Sequence, residues 1–320
     1  MTNPVLVELT RGGLVESVHR GSVAVADSEG RIVFALGDLD TPVFPRSSLK
    51  PIQALPLIES GAADAFGLGD EEIALACASH SGEPMHTDRV AAWLRRIGCL
   101  ESDLACGAHP SRYEPVAERM IRAGERPTRI HNNCSGKHAG FLTVARHWDI
   151  ATKGYERVDH PVQQAIAKVF SELAEVSGEI PYGIDGCAAP NFAVPLGAQA
   201  KAFAKLTASR GERVVRAMTT FPELVSGTGR TCAILMRSTG GRAAVKTGAE
   251  GFFAGIVPEL GLGIAIKIED GAGRASDAVM AAMLAKYGLL GEDEAAQNIL
   301  RCPLTNTVGD VVGERRVVIA

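Results

Sequence analysis

Apolar and polar positions trade places over residues 5–9, 22–26 and 31–36, the signature of strands, and a polar turn, Asp27-Ser28-Glu29-Gly30, separates the last two. From Ser47 to about Ile150 the apolar positions recur at helical spacing, as in 90–97, and residues 161–180 and 197–220 read the same way. Strands return afterwards. Residues 231–237, a turn over Ser238-Thr239-Gly240-Gly241, and residues 242–247 predict a hairpin, and 263–268 a further strand. Residues 276–287 read as a helix with Ser276 as N-cap and Gly288 at its end. Strands at both ends around a helical middle predict one α+β domain over residues 1–320. Its antiparallel sheet is built from both chain ends, with a helix-rich region of about 47–220 inserted between them. No Pro/Ser linker and no internal repeat divides the chain.

Composition narrows the function. The chain has 320 residues, 46% of them apolar, enough for a large core and incompatible with disorder or a collagen-like structure. Its 33 basic and 37 acidic residues leave a net charge of −4, interspersed and without a basic block, so neither nucleic acid nor an anionic membrane is an expected partner. No run approaches the roughly 20 apolar residues of a membrane helix. Met1-Thr2-Asn3-Pro4-Val5 carries no basic segment followed by an apolar one, so no secretory signal is read there. The seven cysteines are an odd number without a CxxC pair, which predicts reduced thiols in a cytoplasm, some of them metal ligands, rather than a disulfide framework. A small-molecule substrate is the expectation.

The sharpest local chemistry lies in Pro45-Arg46-Ser47-Ser48-Leu49-Lys50-Pro51. Apolar residues at 49, 52, 55 and 58 keep helical spacing, and Pro51 is tolerable only near a helix start, so a helix is expected to begin at about 47 or 48. Ser47 and Lys50, three apart, then share a face, while Ser48 does not. A serine hydroxyl needs a nearby neutral amine to become a nucleophile, and burial or a second cation keeps an amine neutral. Lys246-Thr247-Gly248 supplies that second cation at a strand end. A helix-borne Ser-x-x-Lys followed by a strand-borne Lys-Thr-Gly is the pairing of serine β-lactamases and penicillin-binding proteins. Between them, Ala78-Ser79-His80-Ser81 offers Ser79 or Ser81 as a further hydroxyl. Backbone N–H groups of Ser47 and Ala249 are the expected oxyanion donors.

A second constellation has the character of a metal site. Cys134-Ser135-Gly136-Lys137-His138 and Asp185-Gly186-Cys187 set two cysteines among small residues. With His138 or Lys137 they could hold zinc and leave one position open, although two buried inert thiols account for the same residues. Three patterns are set aside. Ser135-Gly136-Lys137-His138 lacks the leading glycine and final hydroxyl of a phosphate loop. Gly271-Ala272-Gly273 lacks a third glycine and a βαβ setting, and His80, Glu83 and His86 read as a polar loop.

Together these segments resemble the rhizobial-type (class 3) L-asparaginases, the asparaginase II family. The likeness runs from Arg11-Gly12-Gly13 through Arg46-Ser47-Ser48-Leu49-Lys50-Pro51, Cys77-Ala78-Ser79-His80-Ser81 and Cys106-Gly107-Ala108-His109-Pro110. It continues through Asn133-Cys134-Ser135-Gly136-Lys137-His138, Asp185-Gly186-Cys187, Ser226-Gly227-Thr228-Gly229-Arg230, Lys246, Gly248 and Ala249, to Lys267-Ile268-Glu269-Asp270-Gly271. The resemblance implies a serine β-lactamase-like fold, hydrolysis of L-asparagine to L-aspartate and ammonia, and a homodimer. It implies two pairs, Ser47 with Lys50 and Ser79 with Lys246, and a zinc held by Cys134, Lys137 and Cys187 that supports substrate binding. Arg46, His138, Asp185 and Ala249 are then expected around the substrate. Two rivals share parts of this pattern. One is a β-lactamase or peptidoglycan peptidase, the other a non-catalytic zinc-binding protein.

Overall fold

The computed structural model describes residues 2–319. Eight strands form its main sheet: β1 (Val5–Arg11), β2 (Leu14–Asp27), β3 (Ile32–Leu36), β4 (Ala244–Thr247), β5 (Phe252–Val257), β6 (Leu262–Ile268), β7 (Cys302–Thr305) and β8 (Val311–Val317). All pairings are antiparallel, in the order β7-β8-β1-β2-β6-β5-β4, with β3 also on β2. The fold is therefore α+β, and β1 and β8 from the two ends of the chain lie side by side. The 14-residue β2 joins two halves of the sheet: its start pairs with β1 and its end with β6 and β3.

Successive residues of β6 point to opposite faces, and both faces are covered. A Cβ on Gly263 would meet Ala200 and Ala204 of the helix Leu196–Lys205, whereas Ile264 and its neighbour Gly255 face Met280 of the helix Gly273–Lys286. Burial on both sides explains why β5 and β6 read as nearly unbroken apolar runs. Between β3 and β4 the chain builds the helical region. Its central helix, Ser135–His147, is buried along its first eleven residues and packs against Asp70–Ala76 and Pro84–Arg96. The Trp93 indole N–H donates to Thr143 Oγ1 at 2.9 Å across that packing. Among the described residues no helix is long and apolar enough to cross a membrane.

The structure corrects several expectations. Residues 231–237 are not a strand; Thr231–Ser238 is a helix that buries Cys232, Ala233, Leu235 and Met236. A short apolar run fits either element, and here burial at i, i+3 and i+4 against neighbouring helices decides. The hairpin is instead β4–β5, turned at residues 248–251. The C-terminal helix begins at Gly273 with Ala272 as N-cap; Ser276 lies inside its first turn, buried, with its hydroxyl on Gly273 O. Residues 161–180 contain the helix Pro161–Ala174, and 197–220 divides into Leu196–Lys205 and Glu212–Thr220. The wholly buried β5 and the C-terminal β7 and β8 were not read from the periodicity.

Candidate active site

The Ser47 segment folds as a 3₁₀ turn, Arg46–Leu49, running into the short helix Lys50–Gln53, not as an α-helix from 47. In a 3₁₀ turn residues i and i+3 eclipse, so Ser47 and Lys50 still rise from one side. Pro51 sits in the first helical turn, where its missing N–H leaves nothing unpaired. The two adjacent serines separate cleanly. Ser48 is fully buried and its hydroxyl donates to Lys246 O at 2.7 Å, whereas Ser47 lines an open cavity. Gly248 permits this contact: a Cβ there would stand 2.4 Å from Pro45 O.

Lys50 and Lys246 are both buried, and both amines converge on one oxygen. Lys50 Nζ lies 3.0 Å from Ser79 Oγ and Lys246 Nζ 2.9 Å from it. Each amine also donates to a main-chain carbonyl, Lys50 to Ala78 and Lys246 to Thr247. Among the described residues neither amine hydrogen-bonds Ser47, so the expected Ser47–Lys50 pair appears as a shared face, and the hydrogen bonds centre on Ser79. Burial, reinforced by the neighbouring charge of Lys50, pushes the Lys246 amine down to about 7. The nearby Cys77 thiol offers no compensating anion, since burial pushes it up to about 12. A buried hydroxyl between an amine that loses its proton near neutrality and a second amine is an arrangement that can relay protons.

The cavity above this relay measures about 410 Å³. Ser47, Ser79, Thr247, Gly248 and Ala249 line one side, and Arg46, Cys134, Asp185 and Cys187 also line it. The backbone N–H groups of Ser47 and Ala249 donate to no protein acceptor among the described residues, as oxyanion donors must before substrate arrives. Arg46 adopts a left-handed backbone (φ 52°), and both its Nε and Nη2 bond Asp185 Oδ1, at 3.0 and 2.7 Å.

Cys134, just before the helix Ser135–His147, and Cys187, in the turn after Tyr182–Ile184, meet across the cavity wall. Lys137 Nζ donates to Cys187 Sγ at 3.0 Å. The neighbouring Cys134 thiol and the charge of Lys137 draw the Cys187 thiol far toward thiolate. Burial opposes the Lys137 charge, yet the two cysteine sulfurs raise its pKa above the ordinary value. No group of three His, Cys, Asp or Glu side chains suited to a metal occurs among the described residues, so zinc here requires Lys137 as third donor. His138 does not line the cavity, contrary to its expected place around the substrate. Its Nδ1 bonds the Tyr155 hydroxyl at 2.6 Å, and its Nε2 is buried beside Cys187 without a hydrogen-bond partner. Two sulfurs and an amine are a donor set of the kind that can hold zinc, with the fourth position left open.

The segment His80–His86 is not a polar loop. His80 and His86 are buried and stacked, ring centroids 4.8 Å apart, and brace Ser135 and Glu223. The cavity also contains Arg112 and Asp277, which no sequence pattern marked: each is a single charged residue whose place depends on a distant segment.

Comparison with known proteins follows from this geometry. The L-asparaginase II family matches residues 7–317. Among curated proteins no sequence matches significantly. Similar solved structures include Mglu in its native form (14% identity, TM-score 0.49, covering 86% of this chain and 66% of that one) and Mglu in its glutamate form (15%, 0.40, 91% and 66%). A β-lactamase from Mycobacterium bovis is similar as well (16%, 0.43, 83% and 94%). The chain thus spans just under two thirds of the length of Mglu. With the family matching all but the outermost residues, the chain belongs to the L-asparaginase II family of amide hydrolases.

Proposed function

We propose that this protein is a rhizobial-type (class 3) L-asparaginase, hydrolysing L-asparagine to L-aspartate and ammonia through an aspartyl ester on Ser47. The observation that carries the reading is Ser79 Oγ held between Lys50 and Lys246 beneath a cavity that Ser47 lines. With Lys246 neutral, the Ser79 hydroxyl donates to it and accepts from Lys50, so Lys50 can pass a proton to Lys246 through Ser79 and take up the one on Ser47. Ser47 Oγ then bonds to the side-chain amide carbon, and the N–H groups of Ser47 and Ala249 receive the oxyanion. The relay returns a proton to the departing nitrogen, the C–N bond breaks, and ammonia leaves. Water, deprotonated by the same relay, then attacks the ester and frees Ser47.

Cys134, Lys137 and Cys187 would hold zinc, with His138 beside them; bound there, a zinc supplies positive charge on the cavity wall to orient substrate. Asp185, which holds Arg46 on one of its oxygens, would meet the substrate's α-ammonium. A homodimer, which rests on the family resemblance, and a cytoplasmic setting, which rests on the unpaired cysteines, complete the reading.

One observation favours a second reading. Both amines bind Ser79 and neither binds Ser47, which suits Ser79 as the nucleophile. Ammonia release by Ser47→Ala and Ser79→Ala, with mass spectrometry of the enzyme trapped during turnover, separates the two. An adduct of aspartyl mass on Ser47 supports the first reading, and one on Ser79 replaces it. A chromogenic β-lactam assay alongside tests the β-lactamase rival.

A further inference from the structure

Two guanidinium groups in the cavity have no ion-pair partner among the described residues. Arg112 and Arg230 both line it, and among the described residues neither side chain makes an ion pair or donates a hydrogen bond to protein. Arg46, by contrast, is committed to Asp185. Both line the same cavity, and burial and then the charge of Arg230 lower the Arg112 pKa, so the two cations are near enough to repel. Asp277 shares the cavity and feels the charge of Arg230, but its carboxylate accepts from Thr231 Oγ1 at 2.8 Å and makes no ion pair with either arginine. Like charges held together without a partner are an anion site.

The pair is built in, and Ser81 builds it. Two residues beyond Ser79, its carbonyl accepts from the Arg112 amide at 2.8 Å and from the Ser111 hydroxyl at 2.7 Å. Its own hydroxyl donates to Glu83 Oε1 at 2.7 Å. Glu83 in turn accepts from the Thr228 amide at 2.9 Å and the Thr228 hydroxyl at 2.6 Å, pinning the loop that ends in Arg230. Gly227 in that loop has φ +122°, and a Cβ there would fall 1.7 Å from Ser81 Oγ. The segment that carries the relay hydroxyl therefore also fixes the position of both arginines.

We propose that Arg112 and Arg230 form a carboxylate subsite that takes the α-carboxylate of the amino-acid substrate while the side-chain amide faces Ser47 and Ser79. The identity of that carboxylate rests on the asparaginase reading; the anion site rests on the arginines alone. Glu83 and Ser81 are its positioning residues.

The test compares ammonia release from L-asparagine with release from 3-aminopropanamide, the same molecule without the carboxylate, in the native enzyme, Arg112→Gln and Arg230→Gln. The expected result is a KM for asparagine raised about ten- to a hundred-fold, the range for a lost charged hydrogen bond, with kcat little changed and kcat/KM for 3-aminopropanamide unaffected. Glu83→Gln should raise the asparagine KM by a smaller factor in the same direction. Unchanged KM in both arginine variants, or equal losses on both substrates, overturns the subsite. Should the native enzyme release no ammonia from asparagine, the asparaginase reading fails, and calorimetry with L-aspartate still judges the arginines. Weaker aspartate binding in both variants upholds the anion site, and equal binding overturns it.

Discussion

The hydroxyl of Ser48 donates to the main-chain carbonyl of Lys246 at 2.7 Å, joining two segments 198 residues apart. This bond brings the Ser47 turn and the Lys246 strand into one site, and Gly248 gives it room. Ser48→Ala should lower stability by about 1 kcal/mol and reduce ammonia release several-fold. Gly248→Ala should be more severe, because its Cβ would meet Pro45 O and Ser48 Oγ at 2.4 and 3.0 Å. Thermal melting beside an ammonia assay checks the ranking; Gly248→Ala behaving like the native protein would contradict the close approach.

Lys246 should set the acid limb of activity. Its amine is depressed by burial to about 7, and the relay needs it neutral, so kcat/KM should fall about tenfold per pH unit below that value. The same shift has a stability consequence of definite sign. Between about 7 and the ordinary 10.5 the unfolded chain carries a proton that the folded chain lacks, so stability rises with pH across that window. Below about 7 both states are protonated and the gain is absent. Urea unfolding of the native protein and Lys246→Met at pH 7 and pH 9 measures it: the variant should lose this pH dependence.

Metal binding should release protons. The sulfurs of Cys187 and Cys134 hold the buried Lys137 amine protonated, and a metal at that nitrogen displaces the proton. Zinc titrated into chelator-treated protein in weak buffer should acidify the solution, and affinity should fall as pH falls. Lys137→Met should weaken zinc binding at least about tenfold. Unchanged affinity would remove Lys137 from the donor set.

Asp185 should govern substrate affinity more than turnover. Asp185→Asn keeps the shape beside Arg46 but removes the charge proposed for the α-ammonium. The expected effect is a KM raised about tenfold or more with a smaller change in kcat, read from steady-state ammonia release.

Parts of the fold were legible because their signals are local. The alternation at 22–26 and 31–36 falls within strands β2 and β3, and Pro51 marked a helix start in the place where one forms. Where burial surrounds an element, the period disappears. The all-buried β5 left no alternation to read, and the helix Thr231–Ser238 presented a run that looked like a strand. Within the site, Ser47 was distinguishable from Ser48 by spacing to Lys50, and the cavity separates them in the same sense. Nothing local could have shown His138 turned onto Tyr155, or Arg112 brought beside Arg230.

Residue type and near-neighbour spacing determine what the chain itself can state: which serine shares a turn with which lysine, which cysteines sit among small residues, and that both chain ends are strands. These are properties of a few consecutive bonds, fixed by chirality and steric exclusion; the strands at the C-terminal end, β7 and β8, are not among them. The tertiary structure alone decided that two amines from positions 50 and 246 share the oxygen of Ser79, that one of them gives up its proton near neutrality, and that two arginines share one cavity without an ion-pair partner. Those outcomes depend on which groups are removed from water together. Desolvation and charge–charge energies are set by distances through space, and the order of residues along the chain does not contain them.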